Sequence, residues 1–167
     1  MNIYLIRHTT AESTSHLKKD RERELTDEGI KLLKESVTTW KNFVDGFDFI
    51  ISSPFKRALH TAELIAEYYD YKDEIIKYST LAPGSTANAI IQLAALFKGE
   101  RIAFIGHQPD IGYQVSSLIS NSELSLKISP ASIINISIDG SPKAGRGILK
   151  FFLPPVNIIS TINTHKN

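Results

Sequence analysis

The side chains best suited to chemistry stand where apolar runs end. Ile3-Tyr4-Leu5-Ile6 leads into Arg7-His8-Thr9. A β-branched apolar run of this length reads as a buried strand, and open α/β sheets keep their ligands at the carboxyl ends of such strands. Arginine carries a permanent charge on a planar fork of donors that fits phosphate oxygens, and an imidazole beside it is a nucleophile or proton carrier tuned by that charge. The pair points to phosphoryl chemistry, although alone it also fits an ordinary polar strand ending.

Two further segments repeat the design. Ile50-Ile51-Ser52 runs into Ser53-Pro54-Phe55-Lys56-Arg57-Ala58. Read as a strand followed by a helix with Ser53 as N-cap and Pro54 at the first helical position, this places Arg57 on the first turn. There its charge adds to the partial charge of the free N–H groups, so one anion can be held by both. Read by itself, Arg57 also fits a solvated helix face. Arg101 to Ile105 form a third apolar run, ending at Gly106-His107-Gln108-Pro109. Gly106 would let the backbone approach a ligand closely. His107 alone fits a structural histidine, but as a third strand-end residue it matches a site fed by His8 and Arg57.

Taken in order, these elements resemble the histidine phosphatase (phosphoglycerate mutase-like) superfamily, and within it the small SixA-type phosphohistidine phosphatases, from Met1 to about Pro155. The Arg-His motif falls on Arg7 and His8, and Ser-Pro-x-x-Arg-Ala on Ser53, Pro54, Arg57 and Ala58, with Thr61 and Ala62 continuing the pattern. Gly-His falls on Gly106 and His107, and Asp-x-x-Arg-x-Leu-Thr on Asp20, Arg23, Leu25 and Thr26. The resemblance implies a three-layer α/β/α fold with a mostly parallel sheet, and a metal-independent phosphatase needing no cofactor. In it, His8 attacks phosphorus and becomes phosphorylated before water releases phosphate, while Arg7, Arg57 and His107 surround the transferring group. Thr9, Arg23 and Gln108 are further candidates for phosphate or substrate binding. The histidines have no spacing with carboxylates or cysteines that would argue for zinc.

Two departures matter. Thr9 replaces the glycine common after the motif histidine, narrowing the space beside the phosphate or adding a hydroxyl donor. The second departure is an absent acid. Many phosphoester phosphatases of the superfamily carry a carboxylic acid between the second and third helices, whereas Ser79-Thr80-Leu81-Ala82-Pro83-Gly84-Ser85 contains none. Expelling an alkoxide gains roughly 10²–10⁴-fold from a general acid, while imidazole is a far better leaving group. The expected substrate is therefore a phosphorylated histidine in a protein such as a phosphotransfer domain of a signalling relay. A small phosphoester is the alternative if Glu12, Asp20 or Asp110 supplies the proton. A phosphate-binding protein without turnover is a third reading, which intact Arg7, His8, Arg57 and His107 argue against.

The elements that must hold these residues alternate along the chain. After Thr26, Ile30, Leu33, Val37, Trp40 and Val44 share a helical face. Phe47 to Ser52 is the second strand, and Phe55, Leu59, Ala62 and Ala66 mark the next helix. Ile90 to Phe97 reads as a third helix closed by Gly99, and Ile111, Val115 and Leu118 mark a fourth. Ile133 to Asp139 and Ile148 to Leu153 read as closing strands joined through the turn at Asp139-Gly140-Ser141-Pro142. This pattern is a single α/β domain over 1–155, its parallel sheet covered on both faces, followed by a polar tail over 156–167.

With 167 residues and a formal net charge of +1, the chain has no basic stripe for nucleic acid. Lys18 to Glu24 mixes both signs, as a solvated loop does. There is no cysteine, and no apolar run long enough to span a bilayer. Met1 leads almost directly into the first strand without a basic, apolar leader, so the expected setting is the cytoplasm.

Overall fold

The computed structural model describes residues 1–158. Strands and helices follow as β1 (Asn2–Arg7), α1 (Asp27–Trp40), β2 (Phe49–Ser52), α2 (Lys56–Tyr68), β3 (Ile76–Lys77), α3 (Ala87–Phe97), β4 (Arg101–Gly106), α4 (Asp110–Ile119), β5 (Ile133–Ser137) and β6 (Ile148–Leu153). One six-stranded sheet results, in the order β3-β2-β4-β1-β5-β6. The first four strands of that order are parallel, whereas β5 runs antiparallel to β1 and β6 antiparallel to β5. The single mostly parallel α/β domain expected from the sequence is the fold observed.

Between its ends, over residues 3–6, β1 is buried and largely apolar because both of its faces are covered. Tyr4 and Ile6 point to one core with Leu33, Val37 and Trp40 of α1 and Ala62 and Ile65 of α2. Ile3 and Leu5 point to the other, with Ile90 and Leu93 of α3 and Ile111, Val115 and Leu118 of α4. In the register of the central strands, Arg7 lies opposite Gly106 and Ser52 opposite Ile105. The chain therefore leaves β1, β2 and β4 at one sheet edge, carrying His8, Ser53 and His107 there.

Several boundaries differ from the pattern-based expectation. Val44 and Phe47 are buried but lie outside regular structure, in the link after α1, where Phe47 packs edge-on against Tyr4 at 5.3 Å between ring centroids. α3 begins at Ala87, one turn early, because the Thr86 hydroxyl caps it by accepting from the Ala89 N–H. The left-handed residue that closes α3 is Lys98, at φ 52°, rather than Gly99. Gly99 is required for space instead, since a Cβ there would lie 2.8 Å from the Phe49 ring. β3 has only two residues, too few for an alternation to be read, and β5 stops two residues before Asp139. Of the expected tail, Val156 to Ile158 are described, and the Val156 N–H donates to Ser36 Oγ on α1 at 3.3 Å. Residues 159–167 lie outside the described part.

Candidate active site

His8 is the first residue beyond β1, yet its N–H still donates to the Gly106 carbonyl at 3.1 Å. Its ring is buried and Nδ1 lies 2.7 Å from the Thr9 carbonyl. A carbonyl oxygen only accepts, so Nδ1 carries the proton and Nε2 the lone pair. Arg57 Nε donates to that lone pair at 3.2 Å. Burial first, then the charges of Arg57, Arg7 and Arg23, push the His8 pKa down to about 4 against the opposing pull of the Thr9 carbonyl. At neutral pH the ring is thus a neutral imidazole with its unprotonated Nε2 facing a guanidinium.

His107 lies beside it, the two rings edge to face at 5.1 Å. Its Nε2 is 2.8 Å from Ser53 Oγ, which also accepts from the Phe55 N–H at 3.3 Å. With one lone pair so engaged, the serine hydroxyl has a proton to give Nε2, the arrangement that leaves Nδ1 as an N–H donor. That Nδ1 is buried and has no partner. Burial, then neighbouring His8 and the arginines, push His107 down to about 3. The Phe55 ring lies 5.4 Å from the His107 ring and 5.1 Å from the Arg57 guanidinium, bracing both.

Three arginines complete the cluster. Arg57, the second residue of α2, donates from Nη1 to the Asp20 carbonyl at 2.7 Å and from Nη2 to Asp20 Oδ2 at 3.1 Å. Ser53 is not the helix cap expected of it: the cap position is Phe55, with no side-chain bond, and the Ser53 hydroxyl serves His107 instead. Arg7 donates from Nη1 to the Ile128 carbonyl at 2.6 Å while its Nε is buried without a partner. Arg23 Nε is 3.3 Å from Asp20 Oδ1 but not aligned for a hydrogen bond. Unsatisfied buried donors are costly. Arg7 Nε, Arg23 Nε and His107 Nδ1 concentrate them around the neutral His8 imidazole, an arrangement able to receive an oxyanion.

The remaining sequence candidates fall into place differently. Thr9 does not offer its hydroxyl to this cluster, because Oγ1 donates to the Gly29 carbonyl at 2.7 Å and its N–H donates to Thr61 Oγ1 at 3.3 Å. Its carbonyl, not its hydroxyl, serves the site. Gln108 donates from Nε2 to the Leu126 carbonyl at 3.2 Å, and its Oε1 is buried without a partner. Together with the Arg7 bond to Ile128, this ties the segment after α4 across the site. Gly106 is not demanded by the protein's own packing, since a Cβ would meet Ile111 at an ordinary 3.7 Å.

Each candidate acid has an acceptor's role. Glu12 accepts from the Glu24 N–H at 3.0 Å and pairs with Lys18 at 2.6 Å, which hold its carboxyl below the usual range. Asp110 Oδ2 accepts from the Gly84 and Ser85 N–H groups at 2.8 and 3.1 Å. Asp20 bridges Arg57 and Arg23. Sequence reasoning overlooked Phe55 as a brace and the Ile128 carbonyl as an anchor. The first was legible as an aromatic residue between Pro54 and Arg57, whereas the second is a backbone atom in a segment without a pattern.

The model of the histidine phosphatase superfamily (branch 1) matches residues 3–81, the stretch that carries Arg7, His8 and Arg57. An uncharacterized protein of Picosynechococcus sp. is 27% identical over 115 residues, 67% of this chain and 69% of that one. The protein histidine phosphatase SixA complexed with tungstate superposes with a TM-score of 0.81 at 21% identity, covering 95% of this chain and 99% of that one. A phosphoserine phosphatase from Entamoeba histolytica superposes at 0.69 and 19% identity, over 90% and 95%. Over residues 3–81 the chain is thus similar to the histidine phosphatase superfamily, and its fold is that of these solved phosphatases.

Proposed function

We propose that this phosphatase hydrolyses the P–N bond of a phosphorylated histidine in a protein, a phosphotransfer domain of a cytoplasmic signalling relay, through a phosphohistidine on His8. The reading is carried by a His8 ring whose Nε2 is free of a proton while, among the described residues, each candidate carboxyl is already engaged as an acceptor. Nε2 holds its lone pair because Nδ1 is committed to Thr9. Glu12 and Asp110 already accept two N–H groups or a lysine, and Asp20 sits between two arginines. A phosphohistidine that already carries a proton on its other ring nitrogen leaves as neutral imidazole without further proton donation, so such a site is matched to P–N cleavage.

Attack by His8 Nε2 in line with the departing nitrogen would place the three equatorial oxygens against Arg7, Arg57 and His107, with Arg23 adding charge behind them. The protein contributes positioning and electrostatics, and the reading requires no metal because the arginines supply the positive charge. Water then attacks the phosphohistidine and frees inorganic phosphate.

Similarity to the Entamoeba phosphoserine phosphatase supports a second reading, turnover of a small phosphoester. Phosphate release by wild type and His8→Ala from a histidine-phosphorylated protein and from p-nitrophenyl phosphate separates them. His8-dependent release from phosphohistidine with little from the ester is expected. Strong ester turnover would instead require an acid among Glu12, Asp20 and Asp110, and no turnover of either would leave a phosphate-binding protein.

A further inference from the structure

All three nitrogens of Arg57 are engaged without a substrate. Nε is given to His8, Nη1 to the Asp20 backbone carbonyl and Nη2 to the Asp20 carboxylate. The second carboxylate oxygen lies 3.3 Å from Arg23 Nε. One anion thus presents two oxygens to two guanidinium groups, as two oxygens of a phosphoryl group would. Its own side chain is half exposed, while that of Arg57 is buried.

Building on the phosphatase reading, we propose that Asp20 is an internal stand-in for the phosphoryl group, holding Arg57 and Arg23 between turnovers, yielding them to the arriving oxyanion and reclaiming them to expel product phosphate. Position alone does not require the carboxylate. The Asp20 carbonyl already fixes Nη1 at 2.7 Å, and Phe55 lies against the guanidinium face. What the side chain adds is negative charge where phosphate must bind. A like charge at that position weakens phosphate binding and favours its release.

The test is binding of inorganic phosphate, by titration calorimetry, to wild type, Asp20→Asn, Asp20→Glu and Arg57→Ala. It is paired with steady-state turnover of a histidine-phosphorylated protein. Asp20→Asn should bind phosphate roughly five- to tenfold tighter, with kcat and KM both lowered as product release slows. Asp20→Glu, which restores the charge, should return toward wild type, and Arg57→Ala should lose binding. Phosphate binding that is weaker or unchanged in Asp20→Asn overturns the proposal, the weaker case making Asp20 a prop for Arg57. Should wild type and Asp20→Asn alike bind no phosphate, the phosphatase reading falls as well.

Discussion

The proposed attack of His8 on phosphorus needs a ring nitrogen that bears no proton, and two features of the structure keep one available. The Thr9 carbonyl takes the Nδ1 proton, and burial among arginines keeps the ring from gaining a second one, with a pKa of about 4. The His8 Cε1–H resonance, followed by NMR in the phosphate-free protein, should therefore show no titration between pH 8 and 5.5. A midpoint near the unperturbed value of about 6.5 would remove this account of the nucleophile. His107 depends on Ser53 in a comparable way. Ser53→Ala leaves a buried ring nitrogen without its partner, a cost of about 1–3 kcal/mol, and should lower kcat/KM roughly tenfold to a hundredfold through loss of the ring's orientation. Activity within twofold of wild type would show that packing against Phe55 alone orients His107.

At the scale of elements, α1 is pressed against the backbone that follows His8. The Thr26 hydroxyl caps it by accepting from the Gly29 N–H at 3.0 Å, while a Cβ on Gly29 would come 2.2 Å from the Thr10 carbonyl oxygen. Backbone does not give way as a flexible side chain does. Gly29→Ala should cost about 1–3 kcal/mol and reduce turnover by displacing the Thr9 carbonyl that fixes His8, checked by thermal unfolding and phosphate release together. Gly106→Ala, in open surroundings by comparison, should change stability by less than about 0.5 kcal/mol. Any loss of turnover there would then report on room for the ligand.

The same element explains what was legible in the sequence. Arg7, His8 and His107 stand out at strand ends, and Arg57 on the helix that follows β2, because a buried strand must be apolar until the sheet ends. Asp20, Arg23, Leu25 and Thr26 stood out as a motif, but nothing in their spacing shows that the carboxylate spans two arginines. Of the two roles expected of Thr9, the hydroxyl donor is excluded because the direction of a side chain beyond a strand end is set by its tertiary neighbour, here Gly29. β3 was missed because pairing with Ile51 and Ser52 defines it, and pairing leaves no periodicity in two residues.

For the whole molecule, the two buried histidines bear on acid stability. Both have folded-state pKa values below the unfolded value, about 4 for His8 and about 3 for His107. Above pH 6.5 neither contributes a pH dependence, since both are neutral in either state. Below it the unfolded chain takes up protons that the folded chain refuses, so stability falls as pH drops from about 6.5 toward 3–4. The loss for His8 alone is on the order of 3 kcal/mol. Urea midpoints measured between pH 7.5 and 4.5 should fall accordingly, and replacing both histidines with glutamine should flatten the decline.

The chain has one tryptophan, Trp40, and it is 1% exposed in the core between α1 and the sheet. Its indole is shielded from water in the folded protein and released into it on unfolding. Fluorescence excited at the indole band should accordingly begin blue-shifted and move red in a single transition, so the protein carries its own optical gauge of folding without an added dye.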